Sequence, residues 1–303
     1  MSNHQSKSPL VGLVIRSAVV RIPGTGYIIA CDVNKEKDDV PHAIVFRYAA
    51  GQFNAGSRNY NAHSLCVIDK PDIGYVDISE QGYYSVTLRS GMKSGDILKQ
   101  SPQSGTRKKR TASFRSVAAI DGRAYAVGLR GLVYRFDDVG RWTCIDEGLP
   151  ETFNIQAIDG FDSSDIYAVG RHGGLWHFDG SGWSECDLPT DINLTCVKCA
   201  GDGQVYIGGH KGVLIRGRDS AWAVFGQHET EDDIWDIEWF SGCVYVSSMN
   251  IVYWIKDGSL MPVDFGSDPP KSCYQLSSSK DVMWSNGEFD IMSFDGKKWV
   301  RVV

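Results

Sequence analysis

No stretch of this 303-residue chain approaches the roughly 20 consecutive apolar residues that a helix needs to cross a bilayer, so a membrane-spanning protein is not expected. The opening residues, MSNHQSKSPL, are polar and lack the apolar core of about 7–15 residues that a secretory signal requires. Residues 1–9 read as a tail, and the protein as cytoplasmic. Signatures of chemistry are missing too. There is no G-x-S-x-G turn to expose a nucleophilic serine, no H-E-x-x-H pair for zinc and no D-x-D-x-D-G loop for calcium. PGTGY at Pro23 lacks the glycines and lysine of a phosphate loop and fits a hairpin turn. The expectation is no catalytic residue, no metal site and no cofactor.

Cysteine is present eight times, but not in a disulfide pattern. The residues are scattered through apolar, strand-like segments of a chain that reads as cytosolic, where thiols stay reduced, so they are expected to act as small buried hydrophobes. Cys196 and Cys199 form a C-x-x-C pair within LTCVKCA, which is a strand pattern. Residues three apart on a strand point to opposite faces, and no second Cys/His pair with finger spacing follows.

What the chain does have is glycine (33 residues), tryptophan (9) and tyrosine (13), and these recur in order. DIYAVGRHGGLWHFDGSGW, Asp165 to Trp183, nearly repeats RAYAVGLRGLVYRFDDVGRW, Arg123 to Trp142. Tyr125, Tyr167, Tyr206 and Tyr245, with Met283 in the fifth place, advance by 42, 39, 39 and 38 residues. The later aromatic position, Trp142, Trp183, Trp222, Leu260 and Trp299, advances by 41, 39, 38 and 39. Upstream, Tyr75 and Tyr27 take the tyrosine position, and AIVFRYAAGQF from Ala43 mirrors LVYRFDDVGRW from Leu132. The repeats number seven.

Within each repeat the segments are short, β-branched or aromatic, and separated by Gly, Asp or Asn, which is strand and hairpin chemistry with no room for a helix. A lone four-stranded unit leaves an apolar face uncovered, so units of about 40 residues must stack and close on themselves. The expected fold is all-β: a seven-bladed β-propeller of four-stranded antiparallel blades, one domain over 10–303. The blades are expected near 10–60, 61–112, 113–152, 153–191, 192–231, 232–269 and 270–303. Gly128, Gly170 and Gly209 are expected to allow close backbone approach, Asp179, Asp219 and Asp295 to turn the last hairpin, and the outer tryptophans to pack between blades. The ends leave closure open: LVGLVIR from Leu10 is either an added closing strand or the innermost strand of the first blade.

The pattern YAVG-x-x-G-x-x-x-x-F-D-G-x-x-W resembles the repeats of bacterial propellers of the WD-like, YVTN and photosystem-assembly-factor superfamilies. The resemblance covers 114–303 closely and 10–113 loosely. It implies a propeller, and since such proteins include binding modules, assembly factors and a minority of enzymes, it does not carry function by itself.

Equivalent loops of a propeller gather on one face. Arg130, Arg171, His172, His210 and Lys211 follow the marker tyrosines by four or five residues, in the connection between second and third strands. Crossovers between blades share that face, which adds Arg107, Lys108, Lys109 and Arg110 and, in QHETEDDIWD, Glu229, Glu231, Asp232 and Asp233. These form the candidate partner-binding rim, mixed in sign on a chain of net charge -6; read blandly, they are solvated loops. The run RKKR does not outweigh the overall acidity, so nucleic acid is not an expected partner. The expected function is non-enzymatic protein binding by a monomer or one-to-one complex, such as a toxin immunity protein whose acidity suits a basic toxin. One alternative is an enzyme gripping a small polar or carbohydrate ligand in the central pocket through Arg171, His172, His210 and Lys211. Another is an assembly factor or scaffold.

Overall fold

The computed structural model describes residues 8–100, 113–226 and 229–303. Their strands pair into seven four-stranded antiparallel sheets, spanning 13–58, 62–96, 114–144, 155–186, 194–225, 236–262 and 275–301, hereafter blades 1 to 7. In every blade the strands lie side by side in chain order. The first strands of all seven line one central channel of about 410 Å³. The repeat therefore builds the seven-bladed propeller that its period implies.

Burial follows strand position. Second strands are covered on both faces by neighbouring blades and read as continuous apolar runs: Thr25–Asp32 is buried except at its ends, and Val282–Asn286 throughout. Fourth strands edge the molecule, so Gln52–Arg58 and Gly91–Asp96 are largely exposed. All the marker tyrosines, and Met283 in their place, sit on second strands.

The outer tryptophans seal the joints between blades. Trp142 is fully buried in a cluster with Ile78, Tyr84 and Val86 of blade 2, and Trp183 packs with Tyr125 and Val127 of blade 3. The Trp183 indole N–H also donates to Ile145 O at 2.6 Å, which satisfies its polar atom. Trp222 and Trp299 are only half-buried. Cys196 lies in the cluster between blades 5 and 6, and Cys199 against the one between blades 4 and 5, so the two thiols do face opposite ways. All eight cysteines are free.

Gly128, Gly170 and Gly209 are extended, and the constraint on them is space. A Cβ there would lie 2.2, 2.2 and 2.4 Å from the carbonyl oxygens of Ser113, Asn154 and Asn193. Asp179, Asp219 and Asp295 each stand in the hairpin before a fourth strand, and the Asp179 and Asp295 carboxylates accept the backbone N–H groups of that turn.

The chain does contain short helices, contrary to expectation. Val33–Lys37 occupies the insertion NKEKDDVPH, its first turn capped by Asp32, which accepts the Asn34 N–H at 2.9 Å; Ile97–Gln100 follows blade 2. Both sit in connections outside the sheets, where no ladder competes for the backbone.

Among the described residues, closure does not exchange strands between the ends. Leu13–Ile22 is the innermost strand of blade 1, and blade 7 comes entirely from the C-terminal segment. The joint is made by packing: Trp284 of blade 7 fills the space that Gly26 of blade 1 leaves, where a Cβ would lie 2.4 Å from the indole ring. Ile15 N–H donates to Glu288 O at 2.8 Å and Val20 N–H to Ser277 Oγ at 3.2 Å across the same joint. Between blades 1 and 2 an ion pair adds to an apolar cluster that includes Ile29 and Val45 of one and Ala62 and Leu65 of the other. Arg58 grips the buried Asp77 carboxylate with Nε at 3.0 Å and Nη2 at 2.8 Å, and the Tyr60 hydroxyl donates to it at 2.6 Å.

Candidate functional site

The candidate rim is assembled by the repeat. After each second strand of blades 3, 4 and 5 comes a single tight turn whose middle residue is left-handed: Arg130 (φ 62°), His172 (φ 57°) and Lys211 (φ 55°). Such a conformation costs a non-glycine residue energy and persists where surroundings hold it. Here the next crossover does so, through one side chain per blade. Asn154 Oδ1 accepts the Arg130 N–H at 3.2 Å, Asn193 Oδ1 that of His172 at 3.0 Å, and Asp233 Oδ1 that of Lys211 at 2.9 Å. The side chains of Arg130, Arg171, His172 and Lys211 are exposed as a result, with His210 half-exposed.

The structure thus brings Arg130, Arg171, His172, His210 and Lys211 to one face, in three consecutive blades. Arg130 pairs with Glu151 at 2.5 Å, and His210 Nδ1 stands 3.8 Å from Asp233 Oδ2 with its ring beside Trp235. The acidic crossover shares the face, but its members differ in what they do. Glu229 accepts the Leu260 N–H and Asp233 holds the Lys211 turn, while Glu231 and Asp232 stand in solvent. Arg107, Lys108, Lys109 and Arg110 lie outside the described residues.

None of the four residues expected to grip a ligand in the central pocket lines it. Arg171, His172, His210 and Lys211 follow second strands, one strand out from the channel wall, which consists of first-strand residues and, at the entry to blade 6, Trp235. The channel carries a different polar group. Asp159, Lys198 and Glu238 are the ladder partners of Tyr167, Tyr206 and Tyr245, so they hold one register position in blades 4, 5 and 6. At that position the other blades carry Val19, Val67, Ala118 and Ser278. Lys198 Nζ lies 2.8 Å from Glu238 and 3.6 Å from Asp159. Burial opposes the Lys198 charge, but the two carboxylates hold its pKa above the usual lysine range. Burial raises that of Asp159 against the pull of Lys198.

Asp236 stands two residues before Glu238 in the same strand. The residue is half-buried in the channel wall, and desolvation by the surrounding strands pushes its pKa up to about 7, against the N–H groups of Leu276 and Ile237 whose hydrogen bonds it accepts. Reading outward from the tyrosine markers to their ladder partners would have located the Asp–Lys–Glu row in the sequence; reading forward to the loops missed it. Among the described residues, no group of three or more His, Cys, Asp or Glu side chains is arranged to hold a metal ion.

Comparison with known proteins separates architecture from ancestry. No family model matches the chain. Virginiamycin B lyase from Staphylococcus aureus, solved as a catalytically inactive variant with quinupristin, superposes with a TM-score of 0.72 over 93% of this chain and 94% of that one, at 9% identity. YCF48 bound to a D1 peptide gives a TM-score of 0.66 over 93% and 91%, at 15% identity. Likenesses this distant in sequence establish the propeller and nothing of its chemistry. The immune protein Tsi7 of Pseudomonas aeruginosa is another matter: it is 34% identical over 298 residues, which cover 94% of this chain and 96% of that protein. With that identity over nearly the full length of both chains, the chain belongs to the family of the immune protein Tsi7.

Proposed function

We propose that this protein is an immunity protein, a propeller that binds a toxin and blocks its action without chemistry of its own. The observation that carries the reading is the 34% identity to the immune protein Tsi7 across nearly the full length of both chains. The rim supports it: a rigid face of solvent-exposed charged side chains on backbone turns locked by the neighbouring blade has little conformational freedom to lose on binding. The partner in this reading is a basic toxin held one to one in the cytoplasm, its encounter quickened by the net charge of -6.

The test is neutralisation. The tagged chain, purified from its native host, is expected to bring down one stoichiometric partner that kills or arrests cells when expressed alone and not when expressed with this chain. Recovery of several structural subunits and no toxic activity would replace the reading with that of a scaffold.

A further inference from the structure

Four large apolar side chains stand in water on consecutive loops of one arc of the rim. Trp235 is 41% exposed on the crossover into blade 6, Met249 and Ile251 are 48% and 37% exposed on the next loop, and Phe289 is 50% exposed on the corresponding loop of blade 7. The loops that bear them are tied to one another in order around the ring. Trp235 N–H donates to Ser247 O at 2.9 Å, Cys273 N–H to Met249 O at 2.9 Å and Glu288 N–H to Ser272 Oγ at 3.0 Å. The arc is therefore one continuous, well-anchored surface. Isolated exposed apolar residues are ordinary, but a run on adjacent loops of one face marks an interaction site.

Charge indicates what covers it. Glu231, Asp232 and Glu288 are exposed on the same loops, and among the described residues none of the three has an ion-pair partner. Lys271 is the exposed cation between them. The other arc of the face, over blades 3 to 5, carries Arg130, Arg171, His172 and Lys211 beside the exposed acids Glu151 and Asp191 and, among the described residues, no comparable apolar run. The face is thus split into an arc of mixed charge and an arc that is apolar and acidic. A second copy of this chain docking symmetrically on the latter would set acid against acid.

We propose that the arc from Trp235 to Phe289 is the docking surface for a basic face of the target protein, one that seats an apolar side chain among Trp235, Met249, Ile251 and Phe289 while its lysines or arginines meet Glu231, Asp232 and Glu288. The proposal rests on the immunity reading and specifies where that binding occurs.

The probe is the single protein that co-purifies stoichiometrically with the wild-type chain, identified and purified separately. Trp235→Ala and Phe289→Ala are each expected to weaken its binding about tenfold or more, as truncation of a central aromatic anchor does. Joint reversal, Glu231→Lys with Asp232→Lys, is expected to slow association and reduce its salt dependence. Ile22→Ala and Val139→Ala, exposed on the opposite face, serve as folding-matched controls and are expected to bind as wild type. Wild-type affinity in the Trp235 and Phe289 variants, or a loss confined to Arg130→Glu and Arg171→Glu, would overturn the proposal while leaving immunity intact. A wild-type dimer in sedimentation that Trp235→Ala dissolves would assign the arc to a second copy and overturn it as well. If the wild-type chain neutralises nothing, the immunity reading falls first and the docking arc with it.

Discussion

Lys198 of blade 5 reaches across the channel wall to Glu238 of blade 6, Nζ to Oε1 at 2.8 Å, and each stands opposite the marker tyrosine of its own blade. A seven-fold repeat thus carries a charge row on one side only of its axis. Asp159 extends the row into blade 4, with a single lysine between two carboxylates.

Removing that lysine should be felt as unpaired charge. Lys198→Met is expected to destabilise the fold by about 1–3 kcal/mol at neutral pH, the usual cost of leaving a buried polar partner unsatisfied. The loss should be smaller at pH 5 than at pH 7, because burial already raises the Asp159 pKa and the variant lacks the cation that opposes that rise. Urea denaturation at the two pH values measures it, and an equal loss at both would contradict the charge account.

Asp236 sets a second pH dependence. Its folded pKa, near 7, lies above the ordinary carboxylate value of 3.8, so between these values the native state holds a proton that the unfolded chain has released. Stability from this group therefore falls as pH rises from about 4 to about 7, the reverse of a salt-bridged aspartate. Asp236→Asn should flatten that part of the stability curve, as read by thermal melting across the window.

Arg58 and Asp77 form a buried pair whose worth depends on how it is broken. Asp77→Ala leaves a guanidinium buried between blades 1 and 2 and is expected to cost about 3–5 kcal/mol, whereas the double replacement Arg58→Met with Asp77→Leu should cost far less. Chemical denaturation of the two variants separates the effects; equal losses would mean that packing, not charge, holds the joint.

The tryptophans should rank by burial. Trp183→Ala removes a ring seated between blades 3 and 4 and is expected to cost about 3–5 kcal/mol. Trp222→Ala occupies the same place in the repeat but is half in water, and should cost clearly less. Equilibrium unfolding of both would show whether repeat position or burial governs the loss.

The blade number, the strand order within each blade and the face that gathers the loops were all legible from the tyrosine and tryptophan spacing, because a period of about 40 residues has one economical way to bury its apolar faces. The rim residues Arg130, His172 and Lys211 followed from the same count. Their left-handed turns did not, since the Asn154, Asn193 and Asp233 side chains that hold them come from the following blade. The helix at Val33–Lys37 is not legible in the period, because its insertion interrupts the repeat.

Local pattern determined the architecture of this protein, since strand alternation, turn residues and period are all properties of neighbours along the chain. Only the tertiary structure decided how the ring closes, with Trp284 against Gly26, and which charges meet, with Lys198 between Asp159 and Glu238 and Asp77 beneath Arg58. It also decided where the exposed apolar residues fall into one arc. These are contacts between blades, and the energy of each depends on distances and burial that come into being once the ring has closed.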